Sequence, residues 1–579
     1  METRIPEKNK SIDKILYLLV IAGVILAISI PAFRSGIYNG FDLWFHLGRI
    51  ESISRELANG QFPVRYETLS WYGNGYVSSI MYGNIFLYIP ALLHILGVET
   101  YRCYNIYVII VNAIGTGICL YSFKGLFKNK YWFLISTVMY MMAGYYISNV
   151  YMRAAVGEYT ATIFIPLVVY GIYRIYFENS EASSIKKVLP LVIGVTGIIQ
   201  SHVLTTLMIA MAVLVFIIVY LKDTINNIKP LLLALLLVLA INAFFLIPFI
   251  DSYTSYVFNA SVETVGVNIQ KNGLYLSQIL GLFPEAKGAR VDWSSEGKEY
   301  LRIGMLHVIS LFMMILLIAF KKKFIVNDEQ KKSFRLACTV FGIGAIAAWM
   351  STAYFPWSVF AGDNAISNIM RSVQYPSRYL VIQTVCWNIC GVYALKIFSE
   401  QISLAKNKIF KTCVLLAVLF VALLQTGIFM YTLSCYNRTI QTVEGHDAIA
   451  DGLYLKYGTD TEKLASEAIL LTGEATVEDL GYNGRWREIN IVNSSEDEAT
   501  ILVPIFDYKY IHAYDSNNRE LTLESTENNQ YSITVAEGFS DKIRVGFVEP
   551  TLWRISEMIS LITIIFLGVK WILIKKSYT

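Results

Sequence analysis

Asp42, His46 and Arg49 follow one another at intervals of four and three residues in NGFDLWFHLGRIESISRELANGQFPVRY, residues 39–66. On a helix that spacing puts all three on one face. Together they supply an acid to take a proton, an imidazole to orient it and a guanidinium to hold an anion. Leu43, Leu47, Ile50 and Leu57 make a second stripe about a quarter turn away, so an amphipathic helix is expected, apolar stripe in the membrane interface, polar edge toward other loops. Each residue also has an ordinary reading, Asp42 as a helix cap and Arg49 as a cation reaching headgroups. Further polar residues weigh against it: Arg153 and Glu158 in YMRAAVGEYT, His202 in IIQSHVLT, Arg371 and Arg378 on either side of VQYPS, and Asp251 at the end of an apolar run. Arginines suit the paired oxygens of a phosphate, and carboxylates suit proton removal from a hydroxyl.

The elements that must position these residues are membrane helices. The chain has 579 residues, 55% of them hydrophobic and 16% charged, with a mean hydropathy of +0.48, and apolar runs of spanning length recur along it. This composition predicts a polytopic membrane protein. The basic amino terminus followed by ILYLLVIAGVILAISIPAF, without a clear cleavage site, reads as an uncleaved first helix. The seven cysteines show neither a disulfide framework nor zinc spacing, and Cys386 and Cys390, four apart, read as core packing.

Loop charge tests the span count. If MYGNIFLYIPALLHILG, residues 81–97, crossed the membrane, FKGLFKNK and the later basic loops would fall outside. If it only dips into the interface, the basic loops 8–14, 124–130, 186–187, 222–229, 321–332, 406–411 and 575–576 share the cytoplasmic side. Twelve spans are then expected, at 15–33, 104–123, 131–150, 159–177, 188–201, 203–221, 230–250, 302–320, 334–354, 378–397, 409–431 and 553–573, the fifth and sixth short or kinked around Gln200, Ser201 and His202. The loops 34–103, 251–301 and 355–377 and the segment after 431 fall on the outer side. Between Leu433 and Thr551 the chain has 9 Lys/Arg against 21 Asp/Glu, a local charge of −12 that leaves +16 elsewhere. From about residue 468 that acidic segment alternates with period two, as in EATILVPIF and QYSITVA, and is broken by NSSED, DSNN and AEGFSD. The expected organisation is a membrane domain at 1–432, an outer domain at 433–551 containing a small β-sandwich, and a final helix at 552–579. The basic excess sits in short loops, which explains orientation and gives no reason to invoke nucleic acid. Few charges fall at mid-membrane depth, which argues against an ion-coupled transporter.

FDLWFHLGRIESISRELANGQFPVRY, YGNGY, MYGNIFLYIPALLHILG, YMRAAVGEYTATIFIPLVVY, IIQSHVLT and VQYPSRYL together resemble the bacterial membrane proteins named for a "6-pyruvoyl-tetrahydropterin synthase-related" domain, close to YfhO-type proteins, with GT-C glycosyltransferase architecture. The resemblance runs along nearly the whole chain. It implies a GT-C-like α-helical polytopic membrane protein of the plasma membrane, N-terminus cytoplasmic, that uses a polyprenyl-phosphate sugar donor on the outer face and an envelope glycan or glycolipid as acceptor. Asp42 falls where such enzymes place an acid in the first outer loop, which implies a general base. His46 and Glu158 then join it as catalytic or orienting groups, and Arg49, Arg153, His202, Arg371 and Arg378 as phosphate- or sugar-binding groups. An obvious second acidic pair in the loop after the third helix is missing, which argues against dependence on a divalent cation. Two other classes fit the same residues: a flippase or exporter of lipid-linked saccharide, and a noncatalytic envelope-binding scaffold.

Overall fold

The computed structural model describes residues 7–178, 184–263, 269–281, 301–362, 364–401, 407–436, 439–440 and 451–576. Residues 264–268 and 282–300 of the expected outer loop 251–301, Lys406 and the stretch 441–450 of the acidic segment lie outside the described residues.

The protein is a helical membrane protein with a C-terminal β-domain. Among the described residues, eight helices are long and apolar enough to cross a membrane: Lys14–Phe33, Thr100–Phe127, Val156–Phe177, Ile228–Ser255, Asp328–Met350, Pro376–Glu400, Lys408–Ser434 and Thr551–Leu573. The other four expected spans form Lys130–Met141, Ser184–Ile199, Val203–Val219 and Met305–Ala319, of 12, 16, 17 and 15 residues. Each is shorter than the roughly twenty residues of a straight crossing. The first stops at Met142, and the chain goes on as a short helix, Gly144–Ile147, and a π-helical turn, Ser148–Met152. The second and third are separated at Gln200–His202, as the polar triplet predicts. Within 81–97 the longest helix is Tyr88–Ile95, at eight residues too short to cross.

The described chain forms two compact units: Met1–Leu43 with Tyr104–Val238 and Gly266–Thr442, and Trp44–Cys103 with Leu239–Val265 and Val443–Thr579. In the first unit, Met314, Leu317, Ala337, Cys390, Ala394 and Ile397 form one core cluster. The Cys390 thiol donates to the Ala337 carbonyl at 3.3 Å within this core. A two-residue strand β1 (Ile37–Tyr38) pairs antiparallel with β2 (Thr439–Ile440).

In the second unit, the expected amphipathic helix is present as Leu43–Ala58, but Leu47, Ile50 and Ile53 are 0% exposed. Its apolar stripe is enclosed by protein and does not rest in lipid. Glu56, three residues beyond Ile53, has protein partners too: it accepts hydrogen bonds from the Thr68 amide at 2.9 Å and from Gln61 at 3.2 Å. The β-domain comprises β3 (Ile469–Thr472), β4 (Thr476–Asn483), β5 (Trp486–Val492), β6 (Ala499–Phe506), β7 (Ile511–Tyr514), β8 (Glu520–Leu521), β9 (Leu523–Ser525), β10 (Gln530–Val535) and β11 (Ser540–Phe547). They form two sheets, β3-β6-β10-β9 and β4-β5-β11-β7-β8. Alternation builds the core: Ile489 and Ile491 of β5, Ile501, Val503 and Ile505 of β6, and Ile543 and Val545 of β11 point inward into one cluster. In this unit Asp251, read from sequence as an outer-loop site candidate, is a clamp, accepting from Tyr510 at 2.7 Å, Lys509 at 2.8 Å and Trp553 at 2.9 Å.

Candidate functional site

The segment after β1 is held by backbone hydrogen bonds to the π-helical turn, Phe41 N to Met152 O at 3.3 Å and Asp42 N to Arg153 O at 2.8 Å. Gly40 makes this approach possible, since a Cβ there would lie 2.6 Å from that of Ala154. Ala154 has φ +52°, a left-handed conformation costly for a residue with a side chain. Asp42 and Arg153 are therefore brought together by a strained and closely packed piece of backbone.

Glu158, in the first turn of the Val156–Phe177 helix, is the hub. One carboxylate oxygen accepts from Asn149 at 3.1 Å and from the Tyr145 hydroxyl. The other accepts from Arg153 Nη1 at 2.7 Å and lies 3.5 Å from Arg378 Nε. Asn149 closes the triangle by accepting from Arg153 at 3.0 Å. Arg378 sits in the turn Pro376–Tyr379, donates to Val373 O at 2.7 Å and Gln374 Oε1 at 3.0 Å, and has its guanidinium 5.3 Å from the Tyr375 ring centre. Its Nε makes no hydrogen bond. Arg153, Glu158 and Arg378 are all buried.

Asp42 differs. It is half-buried, and among the described residues its carboxylate takes part in no hydrogen bond, so it caps nothing. Burial pushes its carboxyl above the usual range, and the charges of Arg153 and Arg378 pull only partly in the other direction. Tyr104, buried, lies within electrostatic range of it. His202 caps the Val203–Val219 helix through Nδ1, which accepts from the Thr205 amide at 3.3 Å. Burial, reinforced by Arg378, drives its pKa down to about 3, so it is a neutral imidazole.

Asp42, Arg153, Glu158, His202 and Arg378 are thus brought together in the first unit. Arg371 is not. It is buried against its own loop, donating to Ala361 O at 3.2 Å and Asn368 Oδ1 at 2.5 Å. His46 and Arg49 belong to the second unit. There His46 packs on Phe45 and Tyr82, and Arg49 stacks on Tyr82 at 4.5 Å and donates to Gly83 O at 3.2 Å. Tyr145, Asn149 and Gln374 do not stand out in the sequence as site residues. Tyr145, Asn149 and Arg153 are spaced by four in a helical apolar stretch, where polar residues are expensive, and that spacing was the available signal. Among the described residues, no three His, Cys, Asp or Glu side chains are grouped so as to ligate a metal ion.

No protein-family model matches this chain. A curated protein of Lactococcus lactis subsp. cremoris, described as uncharacterized, is 23% identical over 266 residues, covering 44% of this chain and 42% of that relative. Among solved structures, the apo oligosaccharyltransferase of Archaeoglobus fulgidus aligns with a TM-score of 0.42 at 13% identity, covering 73% of this chain and 56% of that one. The same organism's oligosaccharyltransferase AglB, in complex with an inhibitory peptide and a dolichol-phosphate, gives 0.41 at 14%, covering 74% and 57%. The arabinofuranosyltransferase AftD from Mycobacteria gives 0.40 at 10%, covering 74% and 28%. The chain therefore spans little more than half of the archaeal chains it aligns with.

Proposed function

We propose that this protein is a membrane glycosyltransferase of GT-C type that moves a sugar from a polyprenyl-phosphate donor to an acceptor hydroxyl in the cell envelope, on the outer face of the membrane. The observation that carries the reading is a carboxylate without a partner, Asp42, in the electrostatic field of two arginines that share one buried acid. The acceptor hydroxyl donates to Asp42, and its oxygen forms the new bond at the anomeric carbon as the bond from that carbon to the phosphate oxygen breaks. The hydroxyl proton passes to Asp42, and the electron pair of the broken bond stays on the lipid phosphate, stabilised by Arg153 and Arg378. A carboxyl raised by burial is a stronger base than an exposed one once ionised. Glu158, with both oxygens occupied, is a positioning residue that fixes the two guanidinia. Neutral His202 adds no charge beside the two arginines.

Asp42→Asn tests this. It keeps size and polarity but cannot accept the proton, so transfer from a polyprenyl-phosphate sugar in detergent should fall by about a hundredfold or more, with the melting temperature unchanged. Wild-type turnover by this variant at saturating acceptor would end the assignment.

A further inference from the structure

The outward side of the sheet β4-β5-β11-β7-β8 carries a surface that the proposed chemistry does not use. Trp486 of β5 lies opposite Gly546 of β11, and a Cβ on Gly546 would come within 2.8 Å of the indole, so the ring lies across the bare β11 backbone. Around it the planar groups follow one another. The Arg485 guanidinium is 5.6 Å from the indole centre, and that of Arg544 is 4.9 Å from the indole and 5.6 Å from the Tyr514 ring. Tyr514 meets Trp486 edge-on at 5.9 Å, and His512 stacks on Tyr514 at 6.3 Å. Arg485 is exposed, and the other four are partly exposed.

The charge on this face is uneven. Glu488 is paired with Lys542 at 3.0 Å and Glu520 with His512 at 2.5 Å. Among the described residues neither Arg485 nor Arg544 has a carboxylate ion pair. Arg544 donates to the Asn518 side chain at 2.7 Å, and its Nε is buried without a partner. Glu488 is also the cross-strand neighbour of Arg544, but its carboxylate is bonded to Lys542, so neither arginine is held in an ion pair of its own. Cross-strand ring and arginine pairs steady a sheet, and an aromatic ring laid over a strand glycine does the same, but neither role uses the guanidinium donors of the exposed Arg485.

We propose that this ladder binds an acidic saccharide. The C–H faces of sugar rings are apolar and slightly positive, matching the negative faces of Trp486 and Tyr514. Carboxylate or phosphate substituents match the planar forks of Arg485 and Arg544. The proposal does not rest on the transfer reading, because binding needs neither donor nor turnover.

The full chain in nanodiscs is titrated with an oligogalacturonate, a phosphomannan, and a maltooligosaccharide of similar length as the uncharged control. At least one acidic probe should bind saturably and more weakly as salt rises, and the probe that binds tells carboxylate from phosphate recognition. Trp486→Ala and Arg544→Gln should each weaken binding by about tenfold or more. Arg485→Gln, on an exposed side chain, keeps the test sound if the tryptophan variant unfolds, and it should weaken binding in the same direction with an unchanged melt. Failure of both acidic probes, equal binding of the maltooligosaccharide, or unchanged binding by both arginine variants would overturn the proposal.

Discussion

Two buried arginine–carboxylate systems in this chain have opposite economies. In the β-domain, Arg487 uses all three guanidinium nitrogens: Nε and Nη2 on Asp479 at 3.0 and 2.6 Å, Nη2 also on Ser466 O at 2.6 Å, and Nη1 on Gly73 O at 3.2 Å. Asp479 in turn accepts from the amides of Ala468 at 2.7 Å and Gly481 at 2.9 Å. One cation meets one anion, and every strong group is taken. In the helical unit, two arginines share Glu158, one of them with an Nε that makes no hydrogen bond, and a second acid, Asp42, is left without a partner. A saturated pair holds a structure together. An unbalanced one, assembled on strained backbone, leaves capacity for a ligand.

The largest effect expected from this contrast is on stability. Asp479→Asn strands Arg487 as a buried unpaired charge and should cost about 3 to 5 kcal/mol, read as a lower melting temperature, while transfer per folded molecule stays at the wild-type level. An unchanged melt would erase the distinction between the two systems. Glu56 sharpens it, because this buried acid has hydrogen bonds but no ion pair. Burial raises its carboxyl from 4.5 to about 7 despite the Thr68 bonds. Between those values the folded chain holds a proton that the unfolded chain has lost, so stability declines as pH rises through the window and levels off above it. Glu56→Gln should flatten that decline in melts at stepped pH. A residual slope should remain from Glu549, whose carboxyl is also pushed up to about 7.

Arg378→Lys probes the unsaturated side. It keeps the charge but loses the planar fork that reaches Val373 and Gln374, so donor use should weaken by about tenfold, seen as a raised KM for the polyprenyl-phosphate sugar. A KM unchanged from wild type would remove Arg378 from the phosphate site.

How far this site could be read in advance depended on what local spacing encodes. The strands of the β-domain were legible because the inward-facing residues recur with period two, as Ile501, Val503 and Ile505 do in EATILVPIF. Arg153, Glu158 and His202 were legible as polar residues at the ends of apolar helices. The face read for Asp42, His46 and Arg49 described one helix and not its neighbours, and that helix begins at Leu43, so Asp42 precedes it. Spacing along a helix says which side chains point the same way. It does not say that Tyr82 will cover Arg49, or that a π-helical turn will present Asn149 to Glu158. Four of the expected spans form helices shorter than their apolar runs for a related reason: hydropathy registers an apolar run, while the break after Met141 is a property of the folded backbone.

The smallest effect concerns the acid limb of the pH–rate profile. Asp42 must be ionised to accept a proton, so kcat/KM should fall as pH falls through its pKa, and burial sets that limb above the ordinary carboxylate range. Arg153 and Arg378 both hold the value down, because each favours the charged form. Arg378→Gln removes one of these charges, so the Asp42 pKa should rise further and activity should be lost at a higher pH than in the wild type, by about one pH unit. Arg378→Lys keeps the charge and should leave the limb close to its wild-type position even as it weakens donor binding. The two variants together separate the charge of this residue from its shape. A limb that stays put or moves downward in Arg378→Gln would mean that the titrating base is a group outside the field of Arg378, and Asp42 would lose its role.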